Sequence, residues 1–380
     1  MNKAATHPNH VVSESMWQQV WRRFSQHKLG VLGASTIVLL AVVALFSDFI
    51  GPYQPGQQYR NFGYAPPSSI HFFDDGGFSF QPFVYGLKRA LDPALGVPVF
   101  KEDTAQKFPI KVWVEGDPYS FFGLFKTNVH LFGTGTNNKR SAGQLFLFGT
   151  DKFGRDLFSR VLAGARISLL IGPLVILISF FLGIVFGGIS GFYGGWVDNA
   201  IQRVTEVTMA VPRLALLLAF ATVIPAKADP IVRFWIIVFV LALVSWAPLT
   251  RVIRGQFLAL REEDFATAAR ALGAGSSRII FRHILPNTIT YLVVSATLAV
   301  PNIILLESAL SFFSYGIQEP LVSWGMLMQK TQSVFEIEFH PWFLIPGFFI
   351  VITVLAYNFM GDALRDAVDP FSIVLSDRQE

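Results

Sequence analysis

Four ionisable side chains sit where charge is costly. Arg203, Glu206, Arg213 and Glu307 lie in or beside strongly apolar runs, and a charge there pairs, relays protons or meets a passing solute. Arg203 and Glu206 are three residues apart, so they share a helical face and can pair. The polar turn at Asp198 is close by, which places this pair near one end of its run. Arg213 lies deeper, directly after Pro212. It can snorkel, pair with Glu206, or line a path and meet a solute carboxylate, and pairing is the preferred expectation. The usual enzymatic patterns are absent: there is no Gly-x-x-x-x-Gly-Lys-Ser/Thr, no His-Glu-x-x-His and no Gly-x-Ser-x-Gly. His130 and His340 read as loop residues rather than metal ligands. No hydrolase, metal centre or nucleotide-phosphate cradle is therefore expected in this chain.

A second concentration of chemistry is Asp264-Phe-Ala-Thr-Ala-Ala-Arg-Ala-Leu-Gly273 followed by His283-Ile-Leu-Pro286. Asp264 is expected to cap a short helix whose Phe265, Ala268, Ala269 and Leu272 form one stripe, and Gly273 to stop it in the left-handed region. Ser276 or Ser277 would cap a second helix carrying Arg278 and Arg282 into Pro286. Alanines where leucines would normally stand suit close docking into a groove. The plain alternative is a solvated amphipathic loop.

The elements that must position these residues are membrane spans. Of 380 residues 52% are hydrophobic and 15% charged, with 38 phenylalanines, which excludes an ordinary soluble enzyme. The chain has no cysteine, hence no disulfide or thiolate site, and its net charge of +4 forms no compact basic patch for nucleic acid. Spans of about 20 apolar residues are expected at 29–50, 168–191, 204–224, 234–253, 288–308 and 343–361. No cleavable leader is evident, so the first span reads as retained. Lys3, Arg22, Arg23 and Lys28 precede it, while Arg251, Arg254, Arg261, Arg270, Arg278 and Arg282 lie between the fourth and fifth spans. The positive-inside rule puts both groups in the cytoplasm and residues 51–167 outside.

The expected organisation is an all-α integral membrane bundle of about six helices with a small β-rich extracytoplasmic insert between the first two. It runs as a cytoplasmic tail at 1–28, the first span at 29–50, the insert at 51–148 and an interfacial amphipathic helix at 149–167. The membrane core follows at 168–361, with a cytoplasmic hairpin at 255–286, and a tail at 362–380. Strand-like runs are read at 107–114, 128–132 and 144–148, and the Gly154-Arg155-Asp156 corner as a structural turn. The insert either caps the outer mouth or docks a partner. Gly183, Gly187 and Gly191 signal close helix packing, within the chain or against another subunit. Pro212, Pro248, Pro301 and Pro346 are expected to interrupt four spans.

The hairpin resembles the Glu-Ala-Ala-x-x-x-Gly signature of ATP-binding-cassette importer permeases, which ends nine residues after the glycine in Ile-x-Leu-Pro. Spacing is intact in Thr267-Ala268-Ala269, Gly273 and His283-Ile-Leu285-Pro286, although Thr267 replaces the family glutamate and His283 the isoleucine. The fuller strings Ala-Ala-Arg-Ala-Leu-Gly-Ala and Arg-His-Ile-Leu-Pro-Asn resemble the dipeptide and oligopeptide (peptide/nickel) permeases, C-type subunit. So do Gly149-Thr-Asp-Lys-Phe-Gly-Arg-Asp-Leu-Phe-Ser-Arg160, Glu307-Ser-Ala-Leu-Ser-Phe and Gly361-Asp-Ala-Leu-Arg-Asp-Ala-Val-Asp-Pro370. The resemblance covers roughly residues 15–50 and 149–370, and the insert is longer than the family leads one to expect.

That resemblance implies a type I importer permease in a bacterial cytoplasmic (inner) membrane, with both termini cytoplasmic. It further implies a second permease subunit, two ATPase subunits that bind the ATP and Mg, and an extracytoplasmic substrate-binding protein. Asp264, Phe265, Thr267, Ala268, Ala269, Arg270, Leu272 and Gly273 would couple to an ATPase, supported by His283, Leu285 and Pro286. Glu307 would tie the fifth span to the outer loop. The cargo would be short peptides, or nickel chelates, sugars or opines. An ion-coupled secondary transporter is the rival, but it needs acidic or histidine relays at mid-membrane and repeat symmetry. A membrane-anchored receptor would leave the hairpin without a use.

Overall fold

The structure, a computed structural model, describes residues 16–74, 77–91, 98–121, 125–135, 142–225 and 228–368. The outer parts of both expected tails, with Asp369 and Pro370 of the last matching segment, lie outside the described residues. A short helix α1 (Met16–Gln26) leads into α2 (Lys28–Leu45), and a single turn α3 (Ser47–Ile50) follows. After the insert come α4 (Leu157–Tyr193), α5 (Gly195–Ala210), α6 (Arg213–Thr222) and α7 (Pro230–Leu260). The hairpin helix α8 (Asp264–Ala271) precedes α9 (Ser276–Ile279), which passes through a π-helical turn at Ile280–Ile284 into α10 (Leu285–Phe312). Two short helices, α11 (Trp324–Met328) and α12 (Val334–Phe339), bridge to α13 (Ile345–Val368).

Among the described residues, five helical segments are long and apolar enough to cross a membrane, and α5 with α6 makes a sixth only as a pair bent by 87°. The span expected at 204–224 is thus broken, because Pro212 has no N–H to donate and biases Val211 towards extended backbone; Val211 is extended, at φ −88° and ψ 134°. The amphipathic helix expected as a separate element at 149–167 is instead the first three turns of α4. Its polar positions Asp156, Ser159 and Arg160 are as buried as Leu157 and Val161, and Arg166 alone of the expected polar face keeps partial exposure. Pro248 and Pro301 lie inside unbroken helices, and Pro346 occupies the first turn of α13, where the missing N–H is harmless.

The glycine series settles the helix packing. An added Cβ at Gly183 would lie 2.7 Å from Leu249, one at Gly187 2.6 Å from the Thr250 carbonyl, and one at Gly191 2.7 Å from the Arg254 carbonyl. These glycines therefore seat α4 against α7 within the chain. A core of Ile171, Val175, Leu217, Ile237, Leu241 and Ile303 joins α4, α6, α7 and α10. Buried Trp324 closes the insert end, its indole N–H donating to the Val161 carbonyl at 3.0 Å.

The insert holds β1 (His71–Asp74), β2 (Gly77–Leu91) and β3 (Pro98–Pro109) as one antiparallel sheet, and β4 (Lys111–Phe121) and β5 (Phe125–Gly133) as a separate hairpin. The run read as a strand at 107–114 straddles β3 and β4, and that at 128–132 falls in β5. The one at 144–148 is not a strand: Leu145 and Phe146 are fully buried, and Phe146 packs with Tyr53, Tyr59 and Phe62 in a small aromatic core. His130 turns its ring nitrogens to the carbonyls of Gly51 (2.7 Å) and Asp117 (3.0 Å), and no cluster of metal-ligating side chains occurs among the described residues.

The corner at 149–156 joins insert to bundle. Gly154 has φ +73°, and an added Cβ would meet the Tyr59 carbonyl oxygen at 1.9 Å, so only glycine fits. Arg155 bonds Asp151 and Glu319, both at 2.6 Å, and Arg160 reaches Glu319 at 3.0 Å. Burial works to raise the Glu319 carboxyl, but the guanidiniums of Arg155 and Arg160 outweigh it and hold it below the usual range. Asp156 caps α4, accepting from the Ser159 amide at 2.8 Å and hydroxyl at 2.6 Å. Burial nevertheless pushes its carboxyl up to about 6.

Candidate functional site

The hairpin at the other end of the bundle is built from the tails of α7 and α10. Arg261 ends α7 and donates to the carbonyls of Gly191 (3.0 Å) and Phe192 (3.2 Å), tying it to the end of α4. Glu263, not Asp264, is the N-cap of α8 and offers no side-chain hydrogen bond; Asp264 is the first helical residue. Its charge still favours the positive helix end. The Thr267 hydroxyl bonds back to the carbonyls of Asp264 (3.0 Å) and Glu263 (3.3 Å), so it points along its own helix.

Gly273 stops α8 as expected, at φ +81°. The Gly273 amide bonds Arg270 O and the Ala274 amide bonds Ala269 O, both at 3.0 Å, which is the paired 5→2 and 6→1 pattern of a Schellman stop. Gly275 rather than Ser276 or Ser277 precedes the second helix, again without a side-chain cap. His283 and Leu285 are half-buried in and beside the π-turn, and Pro286 is exposed. The wider turn allows Pro286 to sit inside a continuous helix, since the lost N–H falls where the ladder is already re-spaced.

The stripe expected on α8 divides into two faces. Ala266 and Ala269 are buried against Phe257, Ile279 and Ile284. Phe265, Ala268 and Leu272 face outward, with Leu272 89% exposed. The phase differs from the expected stripe: Ala269 turns inward, and its small side chain lets α8 lie close on the hairpin. Arg270 is also exposed, its guanidinium 3.5 Å from the Arg261 carbonyl.

Behind the hairpin is a clamp with no precedent in the sequence reading. Arg254 meets Asp198 with two bonds of 2.5 Å, and Asp198 also accepts from Ser190 at 2.5 Å, so α4, α5 and α7 are joined at one carboxylate. Asp198 and Arg254 are 56 residues apart, and nothing in local spacing pairs them.

The four intramembrane charges separate. Arg203 and Glu206 pair at 2.8 Å on an exposed face of α5. Glu206 is thereby engaged, and the 87° bend lies between it and Arg213, so the expected Arg213–Glu206 pair does not form. Arg213 has no ion pair among the described residues; it opens α6 and lines a cavity of about 200 Å³. Ser179, Ser245, Pro248, Ser295 and Asn302 share that lining. Glu307 is buried, accepts from the Ser311 hydroxyl at 2.7 Å, and Ser311 in turn accepts from the Ile317 amide at 2.9 Å. That chain of bonds links α10 to the loop beyond it.

Comparison with known proteins adds the family. Residues 183–373 match the binding-protein-dependent transport system inner membrane component, and residues 15–67 match the N-terminal transmembrane domain of oligopeptide transport permease C. The chain is similar to a Brucella suis protein whose name places it among peptide permeases, at 44% identity over 59% of this chain and 72% of that one. It is similar to the oligopeptide transport system permease protein OppC of Bacillus subtilis, at 37% identity over 59% of this chain and 71% of the relative. The dipeptide transport system permease protein DppC of the same organism is 29% identical over 94% of this chain and 87% of its own length. Half the chain lies within the first match, and the described spans agree with it: the chain belongs to the multi-pass inner-membrane permease components of binding-protein-dependent transport systems.

Proposed function

We propose that this chain is the C-type permease subunit of an ATP-driven importer of short peptides. It works beside a second permease, with two ATPase subunits on the hairpin side and a binding protein on the insert side. The names of the relatives support the cargo. The observation that carries the mechanism is the outward face of α8, where Phe265, Ala268 and Leu272 stand on a helix braced from behind by Ala266 and Ala269. An ATPase groove that buries this face moves the hairpin when it closes, and the continuous helix from 276 to 312 carries the movement into the bundle. Only contacts that differ between the two states transmit work.

In this reading the termini and the 255–286 hairpin are cytoplasmic and the 51–148 insert is external. Arg213 then lies on the translocation path, where an unpaired guanidinium on a mainly apolar wall dotted with three serines and an asparagine suits a peptide's terminal carboxylate. The test is uptake by the purified, reconstituted complex. Peptide accumulation that needs both ATP and the binding protein is expected. Accumulation driven by an ion gradient without ATP would overturn it.

A further inference from the structure

The β4–β5 hairpin carries an aromatic end that the transport reading does not use. Phe121 and Phe125 face each other across it, ring centroids 5.4 Å apart, and Phe125 is 58% exposed. Val112 and Trp113 on β4 are also exposed. Large apolar side chains exposed at both ends of one hairpin need a partner.

The position of that end follows from α2. Its 18 residues span about 27 Å at 1.5 Å per residue, close to the roughly 30 Å thickness of bilayer hydrocarbon. Both ends of α2 therefore lie at the hydrocarbon boundary. Phe46, immediately after α2, touches Phe121 with centroids 5.6 Å apart, and Phe49 touches Trp113 at 5.3 Å. Arg166 fixes this level, donating to Ala44 O at 2.7 Å and Leu45 O at 3.0 Å while pairing with Asp48 at 2.8 Å. The β-hairpin is thus held beside the mouth of the first span at both Phe121 and Trp113. Exposed Lys126 adjoins Phe125, as cations flank apolar residues at bilayer surfaces.

We infer that the aromatic side chains of the β4–β5 hairpin, Phe121 and Phe125 at its turn end and Trp113 near the start of β4, form a lipid anchor that rests in the interface of the outer leaflet. It holds the insert to the membrane beside α2. This goes beyond the transport reading, and it needs only that the chain is membrane-embedded.

The chain has no cysteine, so one can be placed at will. The assembled transporter is reconstituted in phosphatidylcholine–phosphatidylglycerol bilayers with an environment-sensitive fluorophore on Phe125→Cys. Leu39→Cys on the exposed side of α2 serves as the lipid reference and Lys101→Cys on β3 as the water reference. Shallow spin-labelled lipid should quench the Phe125 probe at least half as strongly as the Leu39 probe. Aqueous iodide should quench it several-fold less than the Lys101 probe. If Phe125→Cys reduces the yield of complex, Lys126→Cys, one residue away, gives the same readout. Iodide quenching equal to that at Lys101 would overturn the inference, and so would insensitivity to both quenchers, since a protein surface would then cover the hairpin.

Discussion

Replacing Leu272 with Asp and Phe265 with Ser on α8 separates docking from folding. Leu272 is 89% exposed in the free chain, so its loss changes folding by no more than about 0.5 kcal/mol. If an ATPase groove buries it, the same change forfeits about 2 kcal/mol, or roughly 30-fold in the docking equilibrium. Phe265, 37% exposed, has less surface left to bury and adds about 1 kcal/mol, so the double variant should dock roughly a hundred-fold more weakly, within the limits of additivity for neighbours. The opposite pattern belongs to Ala266 and Ala269, at 0% and 9% exposure. Trp at either position overfills the contact with Phe257, Ile279 and Ile284, costs at least 1–3 kcal/mol, and disorders the hairpin itself. The assay measures three quantities for each variant: membrane-inserted chain, co-purifying ATPase and peptide uptake. The double variant should keep the first and lose the other two. Normal uptake and co-purification at wild-type expression would refute the argument that α8 presents this face to the ATPase.

Arg213→Ala should leave the yield of complex unchanged, because no ion pair is broken, and reduce uptake of free-carboxylate peptides several-fold more than that of C-terminally amidated ones; an equal reduction for both would remove the carboxylate role. Arg254→Ala should cost about 1–3 kcal/mol by leaving Asp198 without its guanidinium, and adding Asp198→Asn should recover part of the thermal stability in detergent; a strictly additive loss would refute the coupling. Asp156 has a folded-state pKa of about 6, above its unfolded value of about 3.9, so its contribution is full below about pH 4 and is lost as pH rises through 6. Asp156→Asn keeps a capping oxygen, and its stability should therefore fall less than wild type between pH 5 and 7; parallel profiles would contradict the burial argument. Cysteines at Lys101 and Ser276 should label with an impermeant thiol reagent from opposite sides, and labelling of both from outside would reject the proposed topology.

What was legible in the sequence was whatever depends on short range. Apolar run length announced the spans, Gly273 announced its own left-handed turn, and Arg203–Glu206 followed from helical spacing. Four ordered motifs brought the family into view. Long-range geometry was not legible: the Asp198–Arg254 clamp joins residues whose proximity is set by α4 lying on α7. The Arg213–Glu206 expectation failed because it assumed an unbroken helix through Pro212. The separate interfacial helix at 149–167 failed because Ser159 and Arg160 look solvated until the insert covers them. In α8 a few residues fit two phases of the helical period equally well, and only tertiary packing against Phe257 selected which alanines turn inward.

The glycine seam between α4 and α7 has a mechanical consequence. At 37 residues α4 is about 55 Å long, nearly twice the hydrocarbon thickness, and backbone-to-backbone contact leaves no side-chain layer in which the two helices can slide. They behave as one stiff girder, pinned to the loop after α10 by Arg155 and Arg160 on Glu319 at one end and to α5 by the Asp198 carboxylate at the other. A tilt of only about 10° at one end sweeps the other through roughly 10 Å of travel. Bending must then be relieved where the bundle is compliant, at the Val211–Pro212 break between α5 and α6, and the girder converts a small push at the membrane surface into displacement beside the cavity that Arg213 lines.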